Sequence, residues 1–396
     1  MKQRLAPPAA FVAALLATGS LARAQDVWTL RTADLSSRQG RLARVDGRGV
    51  TIAQPSTQPA AAVPLADVVS LTRGDGDSAR VPAVDALVLH LANGDRLVGR
   101  PASTADEKLT WASPALGERT VPLTQLTAIT RGPAPVSKLD RPAAEDVVRL
   151  LNGDVVRGII TEVTADALTV AAGDASTPLQ VASIASVRFA TAGAEATVRP
   201  AFRVALDDGS AASADAIAFD GATWTLSAAN QPDAQVSSAR VVAIDHLAGP
   251  LAWLSSLPPA EQVYTPYLTE QFPPRLDQSV TGGPIQFGEQ TFARGIGVHA
   301  RTTLTWEMGT AGYGTFRTRY AVADGAPLAS PVVRVRVDGN VVHEATARPG
   351  DLSAVVTADV STARTLTLEV DFSPAGHATQ ARVNWIEPAL LRGPVR

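Results

Sequence analysis

The sequence predicts an all-β protein in two parts, a series of small repeated β units followed by a two-layered β-sandwich. Apolar residues alternate with polar ones over many short segments, whereas patterns with the 3.6-residue period of a helix are weak. A segment containing a tight-turn sequence recurs through the first 250 residues. The aromatic residues are unevenly distributed, and residues 251–396 hold twelve of the 19. Two different kinds of structure are therefore expected.

The repeated segment is defined by a short polar turn between two apolar runs. It reads Asn93-Gly94-Asp95 in one copy, Asn152-Gly153-Asp154 in the next and Asp208-Gly209-Ser210 in another. An earlier copy, starting near Trp28, lacks this turn. Asn-Gly between alternating apolar residues favours a tight hairpin, because both central residues tolerate positive φ. Each copy therefore begins with a β-hairpin.

Each repeat is long enough for four or five strands, which would form a small, strongly bent antiparallel sheet. This arrangement resembles the SH3-like and Sm-like barrels. A recurring period of this kind indicates tandem units. The predicted boundaries are residues 25–80, 81–140, 141–195 and 196–250 for the four repeats and 251–396 for the sandwich. Arg73-Gly74-Asp75 is interpreted as part of a linker, and Asp75-Gly76-Asp77 does not complete a calcium loop.

Residues 1–24 have the pattern of a cleaved secretory signal. Lys2 and Arg4 precede a short apolar run, and Ala22-Arg23-Ala24 places small residues at the cleavage positions. The run is too short to span a bilayer stably, and no later segment is long and apolar enough. The chain has no cysteine, which excludes disulfides, thiolate chemistry and a lipidated cysteine. We therefore expect an exported protein, periplasmic or extracellular, without a membrane span.

The C-terminal part carries an ordered set of motifs. The strongest is Gly295-Ile296-Gly297-Val298-His299, which is preceded by Phe292 and followed by the strand around Trp306. Further motifs are Val335-Arg336-Val337-Asp338-Gly339, the run Leu366–Phe372 and the late Trp385. Asp338-Gly339 is expected to form a tight hairpin turn. This set resembles the NPCBM family of carbohydrate-binding modules over about the last third of the chain. The resemblance implies a galactose-binding-like β-sandwich, or jelly roll, that binds a glycan or polysaccharide.

The candidate ligand-binding residues are His299, Arg301, Asn384 and Arg294. His299 and Arg301 share one parity on the glycine-rich strand and are expected to reach a surface pocket near Asn384. Planar amide and guanidinium groups suit the bridging of sugar hydroxyls. A structural role for His299 is the competing interpretation, and Trp306 and Trp385 are in phase with core residues. Tyr264, Tyr267, Phe272 and Trp253 are expected to join the sandwich to the last repeat, with a sugar platform as the alternative. The arginines at 317, 319, 334 and 336 are expected to form a charge ladder with Glu369 and Asp371.

The sequence lacks the common enzyme signatures, such as His-Glu-x-x-His, Gly-x-Ser-x-Gly and a phosphate-binding loop. The net charge of −3 gives no basic footprint for nucleic acid. We therefore expect an exported, non-enzymatic glycan-binding protein without a cofactor, apart from a structural calcium ion that the sequence leaves open. The repeats would act as a spacer or a second binding surface. Two alternatives remain: an envelope scaffold that binds other envelope proteins, and an accessory module of a glycoside-degrading system.

Overall fold

The structure is a computed structural model that describes residues 27–53, 61–74, 81–133, 145–190, 200–229, 231–266, 271–309 and 312–393. The predicted signal at residues 1–24, the Asp75-Gly76-Asp77 segment and Tyr267 lie outside the described residues. Within the described ranges the regular elements are β-strands and single turns of 3-10 helix. The all-β prediction is confirmed.

The N-terminal strands fall into four successive units, called repeats 1 to 4. Repeat 1 contains β1 (Val27–Thr32), β2 (Ser37–Asp46), β3 (Gly49–Ala53), β4 (Ala61–Pro64) and β5 (Val68–Arg73). Repeat 2 contains β6 (Leu87–Leu91), β7 (Arg96–Ala105), β8 (Lys108–Ser113), β9 (Gly117–Pro122) and β10 (Leu126–Arg131). Repeat 3 contains β11 (Asp146–Leu150), β12 (Val155–Val163), β13 (Ala167–Ala172), β14 (Ala175–Gln180) and β15 (Ile184–Arg188). Repeat 4 contains β16 (Phe202–Leu206), β17 (Ala211–Ala214), β18 (Ala216–Phe219), β19 (Thr223–Ser227), β20 (Ala234–Ser237) and β21 (Val241–His246).

All four repeats have the same internal plan. Consecutive strands pair antiparallel up to the fourth, and the last strand pairs with the first instead, as β5 does with β1 and β10 with β6. A single 3-10 turn precedes the last strand in every repeat: Leu65–Asp67, Leu123–Gln125, Val181–Ser183 and Ser238–Arg240. In repeat 4 the second long strand is interrupted at Asp215, which gives β17 and β18. The assignment to SH3-like or Sm-like barrels stays a prediction.

The predicted hairpins form, but the turn type differs from the expectation. Gly94, Gly153 and Gly209 have φ values of +85°, +94° and +90°, whereas Asn93 and Asn152 do not have positive φ. The amide of each glycine donates to the residue three positions earlier, as Gly94 does to the carbonyl of Leu91 at 2.9 Å. Asn93 accepts from the amide of Asp95 through its side chain at 2.9 Å. Asparagine is therefore favoured here by a local hydrogen bond rather than by positive φ.

The repeats associate in two pairs through their last strands. β5 of repeat 1 pairs with β21 of repeat 4, with Leu71 opposite Ile244. β10 of repeat 2 pairs with β15 of repeat 3, with Ile129 opposite Val187. In both pairs the opposed residues occupy equivalent positions in their repeats. Each pair is therefore related by an approximate two-fold axis, and the four repeats share a 21-stranded sheet.

The C-terminal part is a sandwich of two antiparallel sheets. Its strands are β22 (Leu251–Trp253), β23 (Glu261–Tyr264), β24 (Arg275–Leu276), β25 (Ile285–Phe287), β26 (Gln290–Phe292), β27 (Gly295–His299), β28 (Thr302–Glu307), β29 (Tyr313–Val322), β30 (Val332–Val337), β31 (Asn340–Thr346), β32 (Val356–Asp359), β33 (Thr365–Asp371) and β34 (Arg382–Arg392). A short 3-10 turn, Leu254–Ser256, follows β22. One sheet has the order β24-β27-β34-β29-β32, with β22 beside β34, and the other has the order β23-β28-β33-β30-β31. The predicted sandwich is confirmed.

The sandwich core contains both tryptophans that were expected there. Trp306 and Trp385 are 2% and 1% exposed, and they pack with Phe316 and the alternating apolar residues of β30 and β33. The indole of Trp306 donates to the carbonyl of Leu257 at 3.0 Å. Alternate residues along these strands face the core between the two sheets, and for this reason a period of two identified the core faces.

The predicted charge ladder is correct for only one of the two sheets. Arg334 and Arg336 on β30 pair with Glu369 on the neighbouring β33 at 2.6 and 2.7 Å. Arg317 and Arg319 lie on β29 in the other sheet, where they donate to the carbonyls of Asp34 and Ser353. Their assignment to the same ladder is wrong, because alternation along a strand does not reveal which sheet the strand joins.

The sandwich packs against repeats 1 and 4 through the outer face of β34 and its neighbours. Trp253, Leu251 and Ala389 form an apolar cluster with Val69 of repeat 1. The prediction that Trp253 joins the two parts agrees with this contact, although the cluster contains a residue of repeat 1 rather than repeat 4. Tyr264 and Phe272 instead lie at an end of the sandwich, where the amide of Phe272 donates to the hydroxyl of Tyr264 at 3.0 Å.

Candidate functional site

The glycine-rich strand β27 is shaped by close backbone contacts. A side chain at Gly297 would collide with backbone atoms of Gln278, Ser279 and Val280, which cross directly over the strand. A side chain at Gly295 would come within 2.7 Å of the carbonyl oxygen of Trp385 on β34. The two glycines therefore allow a loop on one side and β34 on the other to approach β27, and this fixes the position of His299 at its end.

His299 is held firmly at the end of β27. It is 8% exposed, and its Nδ1 donates to the carbonyl oxygen of Ala300 at 2.5 Å. The hydroxyl of Thr302 donates to the carbonyl of His299 at 2.5 Å. The ring of Phe272 stacks on the imidazole, with centroids 4.9 Å apart and an interplanar angle of 17°. These contacts agree with a structural role for His299.

Arg301 lies at the same end of the sandwich but points outward. Its side chain is 59% exposed, and its Nε is 3.8 Å from Oδ1 of Asp371 at the end of β33. The guanidinium carbon lies 5.9 Å from the ring centroid of Phe372. The arginine therefore presents a planar set of donors to solvent beside a carboxylate and an aromatic ring.

Asn384 and Arg294 do not share this exposed position. Asn384 lies opposite Gly297 on β34, is 2% exposed, and its Oδ1 has no hydrogen-bond partner. Arg294 precedes β27 at the other end of that strand from His299, and it binds Asp277 at 3.1 Å and Asp245 of repeat 4 at 2.7 Å. The expected surface pocket at Asn384 is wrong, because the residue is buried, and Arg294 serves as a contact between sandwich and repeat.

The structure thus brings together a different set of residues, which we call the loop-end surface: Phe272, His299, Arg301, Asp371 and Phe372. Two of these, His299 and Arg301, were predicted as site residues. Asp371 and Phe372 were missed as site residues because they lie at the end of β33, far from His299 in the sequence. The pairing of β28 with β33 could have located them. Thr302 lies opposite Val370 in this pairing, which brings Arg301 beside Asp371 and Phe372.

Two open depressions lie at the opposite end of the sandwich. One, of about 520 Å³, is lined by Glu307, Asp338, Arg364 and Thr365, and the side chain of Asp338 accepts hydrogen bonds from the amides of Arg364 and Thr365. These bonds lower the pKa of Asp338. The other, of about 610 Å³, is lined by residues that include Thr315, Asp359 and Ser361. Sequence reasoning identified neither of them.

Within the residues that the structure describes, no group of three or more His, Asp or Glu side chains is arranged to hold a metal ion. Helices in these ranges are single turns, and none could cross a membrane.

The sandwich matches a known family of domains. Residues 251–391 match the NPCBM/NEW2 domain. The resemblance inferred from the sequence motifs is thereby confirmed for the last third of the chain. The NPCBM domain covers β22 to β34 almost completely, so both sheets and the loop-end surface lie within it.

Solved structures similar to this chain include several CBM51 modules. One is CBM51 from Clostridium perfringens GH95 in complex with methyl-galactose, with 20% identity and a TM-score of 0.32 over 35% of this chain and 99% of that chain. Another contains the tandem CBM51 modules of Sp3GH98, the family 98 glycoside hydrolase from Streptococcus pneumoniae SP3-BS71, with 11% identity and a TM-score of 0.33 over 74% of this chain and 88% of that chain. No curated protein matches the chain.

Proposed function

We propose that this protein is an exported, non-enzymatic glycan-binding protein whose NPCBM domain holds the sugar at the loop-end surface. The observation that carries the proposal is the match of residues 251–391, the whole sandwich, to a family of carbohydrate-binding modules. The repeats would carry this domain as a spacer or provide a second binding surface. Export is supported by the signal-like pattern of residues 1–24.

The loop-end surface has the groups that a sugar site needs. The exposed guanidinium of Arg301 can donate two hydrogen bonds to neighbouring hydroxyls, and the carboxylate of Asp371 can accept from a hydroxyl beside them. Phe272 and Phe372 are both half-buried. Phe272 stacks on His299, and Phe372 lies beneath the guanidinium of Arg301. An aromatic ring can cover the apolar C–H face of a sugar.

The rigid backing of the surface supports the same role. His299 is fixed by Ala300 and by the stacked Phe272, and it therefore positions the aromatic ring rather than contacting the ligand. A preorganised site loses less conformational entropy when it binds a ligand, which matters for sugars because each hydroxyl contributes little net free energy.

The test is binding of the full chain to a glycan array, followed by calorimetric titration with the best glycan. We expect Arg301→Ala and Phe272→Ala each to weaken binding about tenfold or more. The first removes a charged hydrogen-bond donor, and the second removes an aromatic contact. Arg364→Ala is the matched control, since Arg364 is an exposed arginine at the opposite end of the same domain. It should leave the affinity unchanged.

Two results would contradict the proposal. If no glycan binds the folded full chain, the domain does not act as a sugar-binding module. If Arg364→Ala abolishes binding while Arg301→Ala does not, the sugar binds at the opposite end of the sandwich and the loop-end surface is not the site.

A further inference from the structure

Repeats 2 and 4 contact each other through the hairpins that join their first two strands. The contact is a β-bridge in which Arg96, the first residue of β7, lies opposite Ala211, the first residue of β17. Arg96 is two residues after Gly94 and Ala211 is two residues after Gly209, so the two residues occupy the same position in their repeats. A surface that pairs with its own equivalent is the signature of a two-fold contact.

The hydrogen bonds of this contact are reciprocal. The amide of Val98 donates to Oγ of Ser210 at 2.9 Å, and the amide of Ser213 donates to Oδ2 of Asp95 at 3.0 Å. Ser210 and Asp95 occupy equivalent positions directly after the turn glycine, and Val98 and Ser213 are equivalent as well. Asp95 and Ser210 are 7% and 1% exposed. In this contact, the hairpin of one repeat buries its polar side chains against the equivalent hairpin of another repeat.

In repeat 1 the equivalent hairpin is covered in another way. Leu35 packs against the cluster that contains Trp253 and Leu251 of the NPCBM domain, and the carbonyl of Asp34 accepts from Arg317 at 3.0 Å. Three of the four hairpins thus contact another part of the described chain.

The hairpin of repeat 3 is solvent-exposed and apolar. Leu151, Val155 and Ile159 are 60%, 42% and 64% exposed. A side chain at Gly99 would meet the carbonyl oxygen of Ala112 and one at Gly158 that of Ala171, each at 2.3 Å, and these equivalent contacts align repeats 2 and 3. By this alignment Val155 and Ile159 stand where repeat 2 has Arg96 and Arg100. Repeat 3 therefore exposes two β-branched residues where its neighbour carries charge.

The same hairpin has the groups that the buried contact uses. Asp154 stands at the position of Asp95 and Ser210, and Arg157 stands at the position of Val98 and Ser213. Asp154 is exposed, and it accepts from Asn152 within its own turn at 2.7 Å. If two copies met as repeats 2 and 4 do, the Asp154 carboxylate of each would face the amide and the side chain of Arg157 of the other. The surface is therefore self-complementary in its charged and hydrogen-bonding groups.

We propose that the hairpin of repeat 3, residues 150–160, is a homodimer contact in which it pairs with the same hairpin of a second chain. Val155 lies opposite Val155 at the two-fold axis, and each Asp154 accepts from the Arg157 amide of the other chain. The exposed apolar side chains of Leu151 and Ile159 lie on the same hairpin, next to this contact. Since one hairpin from each chain buries a small area, the dimer is weak and depends on protein concentration.

The first experiment measures the mass of the full chain by sedimentation equilibrium over a range of concentrations. We expect a monomer–dimer equilibrium. The double variant Val155→Arg, Ile159→Arg should fold, because repeat 2 carries arginine at both positions. It should raise the dissociation constant at least about tenfold, because two arginines would face each other at the axis, whereas the contact of repeats 2 and 4 sets Arg96 opposite the small Ala211. Val342→Arg is the control, since Val342 is a 49% exposed valine on edge strand β31, and it should dimerise as the wild type does.

A charge exchange tests the pairing itself. Asp154→Arg alone and Arg157→Asp alone should each be monomeric, because like charges would meet across the axis. An equimolar mixture of the two should form a one-to-one heterodimer, since arginine at both positions of one chain then meets aspartate at both positions of the other.

Three outcomes overturn the proposal: a wild type that stays monomeric at every concentration, a dimer that survives the Val155→Arg, Ile159→Arg exchange, or a mixture that fails to form heterodimers. Circular dichroism of each variant shows whether it is folded before its mass is interpreted.

Discussion

Arg31 and Glu387 form a two-pronged ion pair, with distances of 2.6 Å from Nη1 to Oε1 and 2.7 Å from Nη2 to Oε2, although they are 356 residues apart in the chain. Arg31 belongs to β1 of repeat 1 and Glu387 to β34 of the NPCBM domain. The guanidinium also lies over the ring of Trp253, 5.4 Å from its centroid. Paired and stacked in this way, the arginine fixes the orientation of the sandwich on the repeats.

Substitution of Arg31 by alanine should weaken this docking by about 2 kcal/mol, because it leaves a half-buried carboxylate without its partner. We expect chemical denaturation of the full chain to separate into two transitions, one for the repeats and one for the sandwich. Arg44→Ala is the control, since its ion pair with Asp46 lies within repeat 1 and is mostly exposed. A denaturation curve of Arg31→Ala that coincides with that of Arg44→Ala would contradict the role of the pair.

Gly297 supports the candidate site through backbone packing. Gly297→Ala should lower the free energy of unfolding of the NPCBM domain by about 1–3 kcal/mol, because the new methyl group meets backbone atoms of residues 278–280 that cannot rotate away. Denaturation followed by tryptophan fluorescence measures the change.

The matched control for that substitution is Gly283→Ala. A methyl group at Gly283 meets no atom within 4 Å, and its backbone does not need positive φ. It should change stability by less than about 0.5 kcal/mol. Equal effects of the two substitutions would show that the close approach at Gly297 does not matter.

Local features of the fold were largely predictable from the sequence. Alternation along β28, β30 and β33 identified the core face, and Asp338-Gly339 was expected to form a tight turn. The structure confirms it, with Val337 opposite Asn340 and both central residues at positive φ. These features depend on residues close in the chain, whose preferences act before any long-range contact forms.

Long-range relationships were not predictable in the same way. Nothing in the sequence of repeat 1 shows that its last strand pairs with repeat 4 rather than with repeat 2, since the strands of all repeats have similar apolar patterns. Phe272 was assigned to the junction with the repeats, yet it stacks on His299. Both results depend on how segments distant in sequence meet, and a periodic pattern determines only which face is buried.

The contact between repeats 2 and 4 depends on a buried carboxylate. Asp95 accepts from the amide of Ser213 at 3.0 Å and from its hydroxyl at 2.6 Å. Asp95→Ala should therefore destabilise the repeats by about 2–3 kcal/mol, because a buried amide loses its partner. Asp154→Ala removes the equivalent but exposed residue of repeat 3 and, in dilute protein, should cost less than about 1 kcal/mol. Thermal unfolding of both variants at low concentration gives the comparison, and a larger loss for Asp154→Ala would contradict the burial argument.

His90 should make the stability of repeat 2 depend on pH. Burial, with a smaller contribution from Arg96, lowers the pKa of His90 from 6.5 to about 4, and its Nε2 lies 2.9 Å from the hydroxyl of Thr130. Because the folded pKa is below the unfolded one, the unfolded chain binds the extra proton between these values. The stabilisation from neutral His90 is therefore complete above about pH 6.5 and is lost as the pH falls toward 4.

Between pH 7 and pH 5, we expect the free energy of unfolding of the wild type to fall by about 1–2 kcal/mol more than that of His90→Gln, after allowance for the partial exposure of the histidine. Glutamine can still hydrogen-bond to Thr130 and does not titrate, and the carboxylates common to both proteins cancel in the difference. Denaturant titrations at the two pH values measure it, and parallel losses in the two proteins would show that His90 does not bind a proton on unfolding.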